Sequence, residues 1–411
     1  MNIKKLFEFL GIYVYNRGKG FITVIEGYWG EYMNFVEAEN LKTGMRLARP
    51  IYNKKGVLLF ERDSRLTRQA IESVKNFGLL GVYVLEPAEP LPPMSEEEIE
   101  SERFQVMMVS SIQDELEKII ETKKAYRLQT LVSTIIKNYG HLEEKVHFYQ
   151  NLRSKDDFVC RHALNTAILC AMLAHFMNIN AEERQQTITA ALLHDIGKMQ
   201  VPPEFLFGRN TIQDNTDMIY QMQQQGFELV ENVEGAQVRR ICMQVVRAQH
   251  DFSGSGKPDE NMKLSLPARI LLVANRYDEL TAMDLQGNTK SEVKALQEFL
   301  DYPALYDQKV VNALVNCIKI LFEGVSVELN TGETGLVLAE NPADILRPTL
   351  LIFKDNSILD LSLRANSDLY IVDIMKTLDN RYVMDMETVR NMGCFGGASK
   401  DAGTEDVPAV T

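Results

Sequence analysis

Cysteine is scarce and scattered in this sequence. The 411 residues contain five cysteines, and no two of them form a Cys-x-x-Cys pair. A small secreted domain held by disulfides needs more cysteines at closer spacing. The sequence therefore favours reduced thiols and a cytoplasmic protein.

The sequence also lacks an excess of positive charge. It has 44 Lys and Arg against 57 Asp and Glu, so that its formal net charge is -13 at pH 7. Nucleic-acid polymers and anionic membranes would be repelled at long range by such a chain. The charge argues against both as main partners, but a few cations in one cleft could still hold a small anionic ligand.

No long hydrophobic run suggests a membrane span. The stretch "AILCAMLAHF" is short and contains His175, whereas a spanning helix needs about 20 apolar residues. No convincing cleavage site follows the basic start "MNIKK". We expect a cytoplasmic protein with no membrane contact.

Composition and periodicity divide the chain into segments. With 45% hydrophobic and 25% charged residues, the chain has the composition of an ordinary globular protein. Its 411 residues are enough for two or three domains. Residues 1–32 are either a loosely attached extension or lie upstream of a true start at Met33. The predicted segments that follow are a small α+β domain at 33–86, an acidic, proline-containing linker with helices at 87–150, a helical domain at 151–323, a β-rich segment at 324–391 and a disordered tail at 392–411.

The stretch "ALLHDIGKMQVPPEF", residues 191–205, carries the clearest chemistry. It ends an amphipathic helix, and Gly197 is expected to provide a left-handed C-cap. A neutral imidazole at His194 beside a carboxylate at Asp195 suits a divalent transition metal. The ammonium of Lys198 could neutralise a phosphate oxygen as negative charge builds on it. The string therefore predicts a metal site that acts on a phosphate.

These residues resemble the signature of the HD superfamily of metal-dependent phosphohydrolases, in particular its HD-GYP branch. Other segments resemble further parts of that branch and together cover most of residues 33–365. They are "LKTGMRLARPIYNKKGVLL", "RHALNTAILCAMLA", "FSGSGKP", "ARILLVANRYDEL" and "FEGVSVELNTGETGLV".

The resemblance implies a fold and an activity. In the family, a helical bundle holds two or three iron or manganese ions, and a metal-activated hydroxide attacks a phosphodiester of cyclic di-GMP. We accordingly expect a mainly α protein, in which an HD-domain bundle of about seven helices follows the small α+β domain and precedes the short β-rich segment.

The resemblance also implies roles for particular residues. The expected metal ligands are His162, His194, Asp195, His250 and Asn275, the catalytic residues are Lys198 and Asp195, and the substrate-binding residues are Lys198, Lys257 and Arg269.

Several expected ligands are missing from the sequence. Asn275 stands in place of an aspartate, and a one-residue shift would be needed to make His250 a ligand. The remaining donors suit one divalent transition metal, iron or manganese, better than two, and no metal at all is the alternative. The other departures are Phe158 for a glutamate, Met222 for a histidine, Ala248 and Gln249 for a histidine pair, and Lys257 for the signature tyrosine.

Each candidate has a structural alternative. His162 shares an apolar helix face and could be a hydrogen-bonded core histidine. His250 could be a helix-end or surface residue, Asn275 could cross-link helices, and Lys257 could be solvated.

Three functions remain open on these grounds. The first is an HD-GYP-type phosphodiesterase of cyclic di-GMP signalling whose hydrolysis is weak or lost. The second is a non-catalytic scaffold that binds a nucleotide or a protein through the same fold. The third is a single-metal phosphohydrolase for another phosphate ester. The expected partners are a cyclic dinucleotide or other small phosphate ester, a protein bound through the N-terminal domain, and a second copy of the chain in a homodimer.

Overall fold

The computed structural model describes most of the chain between residues 33 and 374. The described residues are 12–16, 21–25, 33–52, 57–62, 64–77, 79, 81–85, 96–148, 153, 156–202, 205–206, 212–259, 262–282, 290–355 and 357–374. The predicted tail at 392–411 and the proline-containing start of the predicted linker lie outside them. Within the described residues the protein is mainly α, as predicted.

The N-terminal part contains small antiparallel sheets and one helix. The helix starts after Thr67, whose side chain accepts a hydrogen bond from the backbone N–H of Ala70 at 3.1 Å. Leu47, Leu66 and Val82 lie in a separate small core, which confirms the predicted α+β domain. The elements are the hairpin β1 (Ile12–Asn16) and β2 (Phe21–Ile25), a sheet in the order β3 (Met33–Glu37), β7 (Gly81–Leu85), β4 (Arg46–Leu47), the pair β5 (Ile51–Tyr52) and β6 (Leu58–Phe60), and helix α1 (Arg68–Asn76).

A bundle of helices surrounds one apolar helix, α4. It contacts α2, α3, α5, α7 and α9, and nearly every residue from Cys160 to Ala174 is buried. Among the described residues, α4 is the one helix long and apolar enough to cross a membrane, but most of it is buried inside the bundle. The helices are α2 (Glu96–Thr122), α3 (Leu128–Tyr139), α4 (Phe158–Phe176), α5 (Ala181–Leu193), α6 (Ile212–Ser255), α7 (Leu266–Thr281), α8 (Glu292–Asp301) and α9 (Gln308–Cys317).

Helix α6 is a hairpin of two helical halves. Gly235 has φ 83° and ψ 178°, a backbone conformation outside the helical region that glycine adopts readily. Tyr220 stacks on His250 with ring centroids 3.8 Å apart, although thirty residues would span about 45 Å in a continuous helix. The two halves therefore lie antiparallel. Counted separately with α4, α5 and α7–α9, they give the seven helices expected among the described residues of 151–323.

The turn after α5 lies unusually close to the first half of α6. A Cβ on Gly197 would stand 2.2 Å from the backbone oxygen of Met222, and one on Gly226 would stand 2.8 Å from the nitrogen of Gly197. The predicted left-handed C-cap at Gly197 is wrong, because α5 ends at Leu193 and Gly197 lies in a 3₁₀ turn with negative φ. These two glycines instead permit a backbone contact between the turn and α6.

The C-terminal segment is one antiparallel sheet of five strands rather than the two or three expected. Its order is β11-β10-β9-β8-β12. Val327, Val337 and Leu350 of this sheet belong to the same apolar core as α2 to α9, so that the described parts of the predicted linker helices, helical domain and β-rich segment pack together. The strands are β8 (Ser326–Leu329), β9 (Thr334–Ala339), β10 (Thr349–Ile352), β11 (Ile358–Asp360) and β12 (Ile371–Ile374).

Replacement of Gly197 by alanine should destabilise the protein. The new methyl group would overlap the backbone of Met222, and overpacking of this kind costs about 1–3 kcal/mol or more. Gly254→Ala is the matched control, because a Cβ there meets nothing within 4 Å, and alanine favours a helix by up to about 1 kcal/mol over glycine. Urea unfolding of both variants measures the difference, and equal free energies of unfolding would contradict the close backbone contact.

Candidate metal site

Two buried histidines from different helices face one asparagine oxygen. His162 lies on α4, His194 follows the last residue of α5, and Asn275 lies on α7. The Nε2 atom of each imidazole is 2.7 Å from Oδ1 of Asn275. All three side chains are almost completely buried.

Asp195 completes the group from its place directly after His194. Its Oδ2 lies 3.6 Å from Nε2 of His162 and 3.7 Å from Nε2 of His194. The ligand atoms of His162, His194 and Asp195 all lie within 4.8 Å of one another. The structure thus brings four of the five predicted ligands together.

Asp278 fixes the ring of His162. Its Oδ2 lies 2.6 Å from Nδ1 of His162. Burial raises the pKa of Asp278, but Arg153 and His162 lower it by more, so that the carboxyl is ionised. An ionised carboxylate can only accept, so Nδ1 carries the proton and Nε2 is directed toward Asn275. A carboxylate behind the imidazole is the usual partner of a metal-binding histidine.

The backbone fixes the proton of His194 on Nδ1, as Asp278 does for His162. Its Nδ1 donates to the carbonyl oxygen of Ala191 at 2.8 Å. Burial lowers the pKa of His194, Asp195 opposes this, and the charges of His162 and Lys198 lower the pKa further, so that the net direction is downward. The ring is therefore neutral, and Nε2 presents an unshared electron pair.

The donor set fits a divalent transition ion. Nδ2 of Asn275 donates to Oε1 of Glu279 at 3.3 Å, which turns Oδ1 toward the imidazoles. Nε2 of His194 and Oδ1 of Asn275 are then two acceptors 2.7 Å apart with no proton between them. A cation resolves this conflict, and two imidazoles with carboxylate and amide oxygens are donors that such ions accept.

Both oxygens of Asp195 already have polar partners. Nζ of Lys198 lies 2.7 Å from Oδ2, and Nε2 of Gln223 donates to Oδ1 at 2.6 Å. Burial raises the pKa of Asp195, but Lys198 and the two histidines bring it well below its usual range. Burial lowers the pKa of Lys198, and Asp195 and Glu279 raise it by more, so that the ammonium keeps its charge.

A buried ion pair supports Asp278 from behind. One terminal nitrogen of Arg153 contacts Oδ1 and Oδ2 of Asp278, both at 2.7 Å, and Nδ2 of Asn165 donates to Oδ1 at 2.9 Å. The guanidinium carbon of Arg153 stands 5.2 Å from the ring centre of Phe158. Phe158, at the position where the resemblance implies a glutamate ligand, therefore packs against the cation that holds Asp278.

His250 is not brought into this group, contrary to the expectation that a one-residue shift would make it a ligand. Its ring stacks on Tyr220, and its Nε2 lies 3.3 Å from Asp217. The neighbouring Gln249 is turned to the site instead, and its Nε2 donates to Oε2 of Glu279 at 3.2 Å. The alignment without a gap is therefore the one that matches the geometry.

The two other predicted substrate-binding residues have separate surroundings. Arg269 is paired with Asp307, the residue that caps the start of α9. It precedes Asn275 by six residues, so it projects from a different side of α7, about 9 Å along the axis. Lys257 is exposed and lines an open pocket of about 500 Å³. The other residues that line this pocket are His250, Asp251, Gly254, Ser255, Pro258 and Asp259.

Sequence reasoning missed four side chains around the donors. Asp278 and Glu279 follow Asn275 by three and four residues, the spacing that places side chains on one helix face, and this signal could have found them. The other two, Arg153 and Gln223, carry no comparable signal in the sequence.

Comparisons with known proteins find similar sequences. A family model described as an HD domain matches residues 142–310. A cyclic di-GMP phosphodiesterase of Pseudomonas aeruginosa is 25% identical over 206 residues, which is 49% of this chain and 49% of that protein. A 3'3'-cGAMP-specific phosphodiesterase of Vibrio cholerae is 27% identical over 131 residues, which is 31% of this chain and 30% of that protein.

A cyclic di-GMP phosphodiesterase response regulator of Xanthomonas campestris is 26% identical over 156 residues, which is 36% of this chain and 40% of that protein. The chain spans about half or less of the length of these three relatives.

Loss of the Arg153 guanidinium, which pairs with Asp278, should lower the free energy of unfolding. Arg153→Met leaves a buried carboxylate without its countercharge, and removal of one partner of a buried pair costs about 3–5 kcal/mol. The matched control is Arg247→Met, whose ion pair with Asp251 is exposed, so that little change is expected. Chemical unfolding compares the two variants, and equal losses would show that the buried pair is not a stabilising element.

Restoration of a carboxylate at position 275 should strengthen metal binding. Asn275→Asp adds a negative charge among the donors, and we expect the affinity for Mn²⁺ to rise about tenfold or more. Asn316→Asp is the control, because Asn316 is exposed on α9 and donates to the backbone of Asn312. Titration calorimetry measures both affinities, and an unchanged affinity in Asn275→Asp would argue against Asn275 as a ligand.

Proposed function

We propose that this chain, whose residues 142–310 match the family model of the HD domain, binds one divalent transition ion and a cyclic dinucleotide. The ion, iron or manganese, is held by His162, His194, Asp195 and Asn275. We further propose that hydrolysis of the nucleotide is weak or lost, and that the protein acts in cyclic dinucleotide signalling.

One contact supports the proposed ion above all others. Nε2 of His194 faces Oδ1 of Asn275 at 2.7 Å, and the proton of His194 is committed to the carbonyl of Ala191. With the amide of Asn275 in this orientation, two unshared electron pairs at that distance repel each other unless a cation lies beside them.

The surroundings of Asp195 support one ion rather than two. Oδ2 faces the two imidazoles and contacts Lys198, whereas Oδ1 accepts from Gln223, so that a second ion on Oδ1 would have to displace Gln223. The negative charge of Asp195 is balanced by Lys198 and that of Asp278 by Arg153. A site with so little net negative charge holds a cation with modest affinity.

Lys198 is the residue best placed to meet the substrate. Its side chain is 23% exposed, whereas the side chains of His162, His194 and Asp195 are at most 5% exposed. Its ammonium can donate to a phosphate oxygen that enters from the solvent side. When bound, a divalent ion supplies polarisation of the phosphoryl group and lowers the pKa of a water molecule.

The relatives support the choice of nucleotide, and the missing donors support weak hydrolysis. Two of the three relatives are named for cyclic di-GMP and one for 3'3'-cGAMP. Met222, Ala248 and Gln249 provide neither imidazole nor carboxylate at positions where the resemblance implies histidines. A non-catalytic scaffold that binds the nucleotide is the second candidate, favoured by the amide of Gln223 on Oδ1 of Asp195. The cytoplasmic location, a protein partner of the N-terminal domain and a homodimer stay predictions.

Binding of metal and nucleotide by the purified full chain tests the proposal. We expect about one manganese per chain after loading, by elemental analysis, and Mn²⁺-dependent binding of cyclic di-GMP in calorimetry. Lys198→Met should weaken nucleotide binding about tenfold, which corresponds to about one charge-assisted hydrogen bond. Lys137→Met, at an exposed position on α3, should leave it unchanged.

The outcomes separate the parts of the proposal. Chromatography of the nucleotide after incubation measures hydrolysis, and rapid, complete conversion to the linear dinucleotide would contradict the weak activity. Absence of metal would contradict the ion site. Metal without binding of cyclic di-GMP or 3'3'-cGAMP would leave the third function, a phosphohydrolase for another ester.

A further inference from the structure

The amide of Asn275 determines what the two imidazoles meet. In one orientation its oxygen faces both Nε2 atoms, as in the structure. When both imidazoles are neutral, the NH₂ group in the opposite orientation would donate one hydrogen to each Nε2, which would satisfy both rings with no cation. The two orientations have almost the same shape, so the surroundings of the amide must select between them.

Glu279 is the neighbour that distinguishes the two ends of the amide. Its Oε1 accepts from Nδ2 of Asn275 at 3.3 Å. If the amide turned over, its carbonyl oxygen would face this carboxylate, and two acceptors would repel each other. Glu279 therefore opposes the orientation that the two imidazoles alone would prefer.

Glu279 cannot easily turn away, because its other oxygen is also held. Oε2 accepts from Nε2 of Gln249 at 3.2 Å and contacts Nη1 of Arg276 at 3.3 Å. Arg276 is itself fixed by Oε1 of Glu298, 2.6 Å from its Nε. The carboxylate is thus tied to α6, to its own helix α7 and, through Arg276, to α8.

We propose that Glu279 is a positioning residue that keeps the oxygen of Asn275 turned toward His162 and His194 and so keeps the site receptive to a cation. Glu279 acts through Asn275 and need not touch the ion. The effect on metal affinity rests on the proposed function, whereas the orientation of the amide in the metal-free protein does not.

The test variant is Glu279→Gln, which keeps the shape of the side chain. The guanidinium of Arg276 will hold the oxygen of the new amide, so that the new NH₂ group faces Asn275. The amide of Asn275 should then turn over, because its oxygen can accept from this NH₂ group while its own NH₂ group donates to the imidazoles. Glu298→Gln is the matched control, since it also removes a charge beside Arg276 but lies on α8 and acts on Arg276 rather than on Asn275.

Nuclear magnetic resonance of the metal-free full chain, labelled with ¹⁵N in histidine and asparagine, reports the orientation directly. We expect couplings across N–H···N hydrogen bonds between Nδ2 of Asn275 and the Nε2 atoms in Glu279→Gln, and none in the wild type or in Glu298→Gln. In calorimetry, Mn²⁺ affinity should fall about tenfold in Glu279→Gln and less than about threefold in the control.

Two results would overturn the inference. One is a wild type that already shows these couplings, and the other is a Glu279→Gln variant without them. If the couplings behave as expected but the wild type binds no Mn²⁺, the positioning role stands and the proposed ion site fails.

Discussion

The site depends on where two protons are held. Asp278 keeps a proton on Nδ1 of His162, and the carbonyl of Ala191 keeps one on Nδ1 of His194. Both fixed protons lie on the far side of their rings, so that the Nε2 atoms are directed at Asn275 and Asp195. An imidazole free to exchange its proton between nitrogens would form an ordinary core hydrogen bond. The fixed tautomer of His194 instead leaves the electron pair of its Nε2 directed at the oxygen of Asn275 with no hydrogen to share. Burial lowers the pKa of His162, but Asp278 and Asp195 raise it by more.

The fold supplies this arrangement through close packing and a compensated charge. Gly197 and Gly226 let the turn after α5 approach α6, which places Asp195 within reach of Gln223. Arg153 balances the charge of Asp278 inside the bundle, where an isolated carboxylate would be strongly unfavourable. The apolar helix α4 carries His162 into this interior. The same core that stabilises the protein therefore keeps water away from the donors.

Much of the fold and part of the site could be predicted from the sequence. Periodicity and resemblance indicated a mainly α bundle, and the convergence of His162, His194, Asp195 and Asn275 followed from the motif. His250 was placed wrongly because one residue along a helix turns a side chain by about 100°, and a hairpin at Gly235 decides which face of α6 meets α7. The role of Arg153 could not be read from the sequence, because it depends on a contact with Asp278 at a separation of 125 residues.

The separations in sequence between these partners also bear on how the chain forms its tertiary structure. Asn275 meets His162 across 113 residues, whereas Tyr220 meets His250 after a reversal at Gly235 within a single hairpin. Closing the longer loop costs more chain entropy than closing the hairpin. The hairpin needs only residues that are close in the sequence, whereas the four donors need the chain from His162 to Asn275. A growing chain consequently has no complete cage with which to capture an ion until it has been made as far as Asn275.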